Sequence, residues 1–226
     1  MDVEISSDYP WRRYSLRLNP KGRLRPSGPL LGAAVFLVVL FLISMNSLLF
    51  APRRLSAVSY ITYPFLMEFV SDWGFWGLLG SILGLFAGIY SYSSLTAPQS
   101  FLLSTIYVLP SVLSFLIYRG LLAGAGIDPL KRDLIKSEIE GFRVRRRAAW
   151  AAYIALIVIA FNLLDVWLGT LFLEQAGVMS ESDAVFWLLV WSISNALSSI
   201  VFEPILIKAI TDSIEPFGLI NEGWLS

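Results

Sequence analysis

Residues 57–70 read "AVSYITYPFLMEFV", and whether this stretch crosses a membrane decides the architecture around it. It is mostly apolar, but it is short for a spanning helix, which needs about 20 apolar residues, and it carries Pro64. By itself the segment 57–71 fits a re-entrant or interfacial piece as well as a crossing. Its neighbours are less ambiguous. Five runs are long enough to span: 29–50, 74–95, 101–124, 148–172 and 185–210. Only 15% of the 226 residues are charged, against about 25% in an average soluble domain. Of these charges, Arg119, Asp165, Glu203 and Lys208 are the only ones within the five long runs or at their edges. The sequence therefore predicts an all-α, polytopic integral membrane protein.

Charge asymmetry decides the short segment. The arm 1–27 holds six basic and three acidic residues, and segment 128–147 holds seven basic and four acidic ones, ending in "RVRRR". Segment 173–184 holds Glu174, Glu181 and Asp183 with no basic residue. Cytoplasmic loops are enriched in Lys and Arg, so the first two are expected inside and the third outside. An even number of crossings must then separate residue 27 from residue 128. Three long runs lie between them, so segment 57–71 must cross as well. The expected architecture is six transmembrane helices with both termini cytoplasmic, in the cell (plasma) membrane. It comprises a basic arm (1–27), a membrane domain (28–212) and a short tail (213–226). Arg53 and Arg54 fall outside and run against the rule. Within 128–147, Asp128 and Pro129 open a helix, and Leu130, Leu134, Ile135, Ile139 and Phe142 recur at helical spacing. That pattern fits an amphipathic cytoplasmic connector lying on the inner leaflet or against a partner, and equally a solvated connector.

Several chemistries are excluded. The chain has no cysteine and no histidine, so thiolate and imidazole metal sites, disulfides and histidine bases are absent. No phosphate loop, zinc-protease motif or nucleophile elbow occurs, so neither a catalytic residue nor a cofactor is expected. The basic clusters flank the membrane, which accounts for them without nucleic acid.

Three sets of residues within the spans carry the functional expectations. Gly80, Gly84 and Gly88 in "GLLGSILGLFAG" (77–88) form successive small-xxx-small steps. Such a face admits another helix closely, either within this domain or from a separate membrane subunit. Arg119 and Glu203 each lie 18 residues into spans of the same direction. They are expected to pair as a structural ion pair in the inner half; a proton or ion relay is the alternative. Asn162 and Asp165 share one face of the fifth span. With Asn195 beneath Trp191, Ser192 and Ser194 nearby, and Asn46 ending the first span, they could line an outward-facing cavity. Amides and aromatic rings suit a small, planar, polar ligand. Interhelical hydrogen bonding is the simpler use of the same groups.

The glycine-rich "WGFWGLLGSILGLFAG" (73–88) and the final span "WSISNALSSIVFEPIL" (191–206), with the size and the six crossings, resemble the substrate-binding S components of energy-coupling factor vitamin transporters. The resemblance implies capture of a small water-soluble vitamin or related micronutrient from outside. It also implies docking through Gly80, Gly84 and Gly88, with Ala33 and Ala34, on a transmembrane coupling subunit driven by two cytoplasmic ATPases. The cavity would hold Asn162, Asp165 and Asn195, gated by the loop at 52–55. The first span, "LGAAVFLVVL", lacks the Ala-xxx-Ala step often seen in that family. The competing classes are a sensory or scaffold membrane domain and a structural subunit of a larger membrane complex.

Overall fold

The computed structural model describes residues 27–49, 62–117, 151–152 and 154–206, with a few positions between 209 and 219. Every regular element among them is helical: α1 (Gly28–Leu49), α2 (Thr62–Tyr92), α3 (Ala97–Ile117), a π-helix (Ile154–Phe161), α4 (Asn162–Gln175), α5 (Glu181–Leu206) and a final turn, α6 (Asp212–Ile214). The arm 1–26, the connector 128–147 and Arg119 lie outside the described residues.

Residues 57–61 and the expected gate loop at 52–55 lie outside the described residues; from Thr62 onward the short segment is part of α2. Its first arm, up to Trp73, is joined without a loop to the glycine-rich arm that follows. The junction is Gly74, at φ 50° and ψ −123°, a backbone conformation essentially reserved for glycine. The arms fold back on each other there. A Cβ on Gly77 would overlap the Phe69 carbonyl, although residues eight apart in an unbroken helix stand about 12 Å apart. The first arm is almost wholly enclosed: Tyr63, Leu66, Met67, Phe69 and Val70 are buried, and Phe69 stacks on Trp73 at 5.3 Å.

The second arm packs against α1. Gly84 faces Val39 and the Phe36 carbonyl, at 2.8 and 2.9 Å from where its Cβ would stand, and Gly88 faces Ile43 at 2.7 Å. Gly80 faces the Gly32 carbonyl and Val35. Both series ascend together, so the two helices run parallel; at the far end the Tyr92 hydroxyl donates to Ser44 Oγ at 3.1 Å. The glycine face, expected to admit a helix of this domain or of a separate subunit, is filled by α1 of the same chain. Absent side chains let the backbones approach within van der Waals contact.

Local signals set the remaining turns. Thr96 and Gln99 form a capping box at the start of α3, with the Thr96 N–H and hydroxyl both donating to Gln99 Oε1 at 2.9 and 2.8 Å. A Schellman motif ends α4: Gly177 has φ 70°, and Val178 N–H donates to the Leu173 carbonyl at 3.0 Å. Ser180 then caps α5, accepting from the Asp183 N–H at 3.2 Å and donating to Asp183 Oδ2 at 2.8 Å. Helices joined so tightly must lie antiparallel. α2, α3, α4 and α5 close a ring, each packed on the next and α5 back on α2, with α1 on the outside of α2.

Polarity is inverted relative to a water-soluble protein. Leu30, Leu37 and Phe41 on α1, Phe101 and Leu102 on α3, and Leu189, Ile193 and Leu197 on α5 point outward. Ser81, Ser100, Ser104, Ser111, Ser114, Asn162, Asn195 and Ser199 are enclosed. Among the described residues, four helices are long and apolar enough to cross a membrane: Gly28–Met45, Asp72–Tyr92, Ala97–Ile117 and Glu181–Phe202. The expected fifth span differs from a plain α-helix, since residues 154–161 are π-helical and continue directly into α4.

The parallel seam can be tested without background, because the chain contains no cysteine. Oxidation of an Ile43→Cys/Gly88→Cys double variant is expected to form an intramolecular disulfide, seen as a mobility shift in non-reducing gels. Gly32→Cys/Gly88→Cys should stay reduced; the reverse pattern would mean that α1 runs antiparallel to this arm.

Candidate functional site

The inner face of α4 repeats at intervals of three and four: Asn162, Asp165, Val166, Gly169, Thr170 and Leu173 are all buried. These intervals bring side chains onto one side of a helix, so the two polar groups of the first turn necessarily point the same way. On α5, Trp191, Asn195 and Ser199 recur every four residues and are likewise buried. The tight turn between the helices fixes their relative depth. Asn162 lies 13 residues before the end of α4 and Asn195 14 after the start of α5, while Asp165 and Trp191 each lie 10 away. At about 1.5 Å per residue, the two asparagines sit level, roughly 20 Å from the turn.

α3 closes the third side. The Tyr107 ring packs over Gly169, with Cε1 only 2.6 Å from the position a Cβ would take. Any larger residue at 169 would push the ring away. Asp165 lies one turn earlier on the same buried face of α4. Tyr107, Val166 and Trp191 belong to one continuous core, and the α3 face beyond Tyr107 carries Ser111 and Ser114, both buried.

Many of these groups lack a hydrogen-bond partner. Both polar atoms of Asn162, both of Asn195, one oxygen of Asp165, Trp191 Nε1 and the hydroxyls of Ser111, Ser114 and Ser199 are enclosed and unpaired. An unsatisfied buried polar group costs about 1–3 kcal/mol, so this concentration is a substantial local instability. Other hydroxyls nearby show the contrast. Thr170 donates to the Val166 carbonyl at 2.7 Å, Ser192 to Leu188 at 2.6 Å and Ser194 to Val190 at 2.5 Å. Hydroxyls can satisfy themselves on their own helix in this way; the longer reach of a carboxamide does not offer that option so readily. Ser192 and Ser194 are thus spent locally, contrary to their expected place in the cavity.

Of the residues expected to bind a ligand, the fold brings Asn162, Asp165, Trp191 and Asn195 to one seam. Asn195 is the 15th of the 26 residues of α5, a helix that begins four residues before the expected span. Asn46 is on α1, one turn from its end; α1 packs on α2, so its backbone is not at this seam. The expected Glu203–Arg119 pair falls outside the described side chains, with only the backbone of Glu203, on α5, described.

Two buried acids were missed by sequence reasoning. Glu68 and Asp72, one turn apart on the first arm of α2, are 2% and 3% exposed, and both are engaged by partners. An acid costs about 2.5–3.5 kcal/mol at the centre of a membrane helix. The i, i+4 spacing of two acids in "EFVSD" (68–72) was the available signal; attention to the five long runs passed over it. Among the described residues no group of three or more acids, cysteines or histidines could hold a metal ion.

The π-helix ends at the residue before Asn162. Its i→i+5 hydrogen bonds widen the coil, and such segments occur frequently at functional sites. No protein-family model, curated protein or solved structure matches this chain.

If the amides are unpaired in the folded protein, removing one should stabilise it. Asn195→Leu, which keeps the same side-chain branching, is expected to raise stability by roughly 1–3 kcal/mol, read as a higher melting temperature in lipid nanodiscs. A lower melting temperature would mean that Asn195 is hydrogen-bonded in the membrane.

Proposed function

We propose that this chain is a membrane-embedded subunit that captures a small polar molecule in the core between α3, α4 and α5. One observation carries the reading: enclosed amide, carboxyl, indole and hydroxyl groups without hydrogen-bond partners lie on the buried faces of three helices, with α4 packed on both α3 and α5. Structural hydrogen bonding would pair these groups with each other. Groups kept unpaired at a cost in stability are what a binding site for a polar ligand requires, since complementary atoms on the ligand recover the cost on binding.

The proposed topology has six crossings with both termini cytoplasmic, in the plasma membrane. It is supported by the parallel run of α1 and the second arm of α2. Two parallel neighbours joined in sequence require the chain to return across the layer between them, which is the task of residues 50–73. The basic arm then lies on the same side as the Gly74 reversal, and the acidic α4–α5 turn on the opposite side, in agreement with the excess of basic residues in cytoplasmic segments.

Within this reading, resemblance to energy-coupling factor S components suggests the assembly: a capture subunit for a vitamin or related micronutrient, docked on a coupling subunit driven by cytoplasmic ATPases. The second reading is a ligand-binding sensory or scaffold subunit without transport activity. The observation favouring it is that α1 already occupies Gly80, Gly84 and Gly88, so docking would need another face.

Mild-detergent purification of the tagged protein from its native membranes, with mass spectrometry of proteins and small molecules retained, separates the two. The transporter reading expects two ATPases and a second multi-span protein; the sensor or scaffold reading expects neither. Retention of a small polar molecule that Asn162→Ala releases is expected under both. For the topology, single cysteines at Ser94 and Ser182 should react with a membrane-impermeant maleimide from outside intact cells, and one at Ser7 should not. Labelling at Ser7 would invert the orientation.

A further inference from the structure

The chemistry of this core also bears on the charge of its ligand. Resting on the binding-site reading above, we infer that the site selects a small organic cation, a protonated amine or related ammonium, over neutral and anionic molecules of the same shape. The unpaired inventory offers acceptors that an ammonium group would satisfy. Asn162 Oδ1, Asn195 Oδ1 and an oxygen of Asp165 are acceptors without donors, joined by the hydroxyls of Ser111, Ser114 and Ser199, which can accept as well as donate. Against them stand the two amide NH₂ groups and the Trp191 indole N–H. An ammonium group with up to three N–H donors fits the acceptors.

Charge points the same way. Asp165 is 4% exposed on the inner face of α4, and no lysine, arginine or histidine occurs among the described residues. An anionic ligand placed between α3, α4 and α5 would meet Asp165 with no counter-charge from any described helix of the ring. A cation would supply the counter-charge that lets this enclosed carboxyl ionise. Enclosure strengthens that difference, because a charge pair interacts more strongly as the surrounding dielectric falls. The walls add to it. Tyr107, on Gly169 one turn from Asp165, and Trp191, level with Asp165, offer aromatic faces, which attract cations.

Opening the site requires α4 to part from α5, since the unpaired atoms are sealed in this structure. The π-helix joined to the start of α4 is the element able to yield, because returning from i→i+5 to i→i+4 bonding would turn the Asn162 face without breaking the helix.

Three probes of similar size, each one aromatic ring bearing one polar group, test the inference on the full-length protein in nanodiscs: benzylamine hydrochloride, benzamide and sodium benzoate. Binding is read by isothermal titration calorimetry and by shift in melting temperature. Benzylamine is expected to bind at least tenfold more tightly than benzamide, with benzoate weakest. Asp165→Asn should remove the amine's advantage over the amide, and Asn195→Leu should weaken all three probes together. Benzoate binding as well as benzylamine, or an amine preference that survives Asp165→Asn, overturns the cation assignment and leaves the site standing. If none of the probes binds at millimolar concentration, or if Asn195→Leu changes nothing, the binding-site reading falls and this inference with it.

Discussion

Inside a bilayer a polar atom has no water to turn to, and its only partners are its own helix, a neighbouring helix or a bound molecule. The architecture of this chain follows from how each group meets that constraint. Ser104 on α3, Thr170 on α4 and Ser192 on α5 meet it cheaply, each through the carbonyl four residues back. Backbone groups meet it within helices. The asparagines at 162 and 195 do neither, and they stand at one level on two helices that the Gly177 and Ser180 motifs force into antiparallel contact. The unmet hydrogen-bonding capacity of the fold is thereby concentrated in one place. A membrane domain whose only task was to hold together would gain by filling that place with leucine.

The second constraint is the reversal at Gly74. A single residue in a glycine-only conformation lets the first arm of α2 fold onto the second, sinking Glu68 and Asp72 into the ring. Because the arm returns so abruptly, the second arm emerges beside α1 and runs parallel to it. The glycine stripe is then consumed in that seam. Small-residue stripes mark close helix approach, but they do not say whose helix approaches. Here the approaching helix is the one just upstream in the chain.

These two constraints divide the molecule. α1 and the second arm of α2 interdigitate through glycine and β-branched side chains, Gly84 against Val39 and Gly88 against Ile43, with little freedom to move. The seam of α4 and α5 is lined by groups that gain nothing from staying closed, and it is preceded by a π-helix. Rigidity on one side and stored polar capacity on the other suit a scaffold that opens at a single interface to admit a ligand.

Much of this was legible in the sequence. Spans declare themselves because about 30 Å of hydrocarbon demands long apolar runs, and helix ends declare themselves through Thr96–Gln99, Gly177 and Ser180–Asp183, whose side chains or backbone freedom complete the terminal hydrogen bonds. Asn162 and Asp165 on one face of α4 follow from helical spacing alone, as does the repeat of Trp191 and Asn195 on α5. What spacing could not supply was the partner of each face. That α1 takes the glycine stripe, that Tyr107 covers Gly169, that Glu68 and Asp72 lie enclosed, and that Ser194 is satisfied on its own helix while Asn195 is not, all depend on which helices meet and at what depth. Sequence determines periodicity, length and capping because these are properties of a single helix and its solvent. Only tertiary structure decides pairing and register, because the energy that selects them belongs to two surfaces at once.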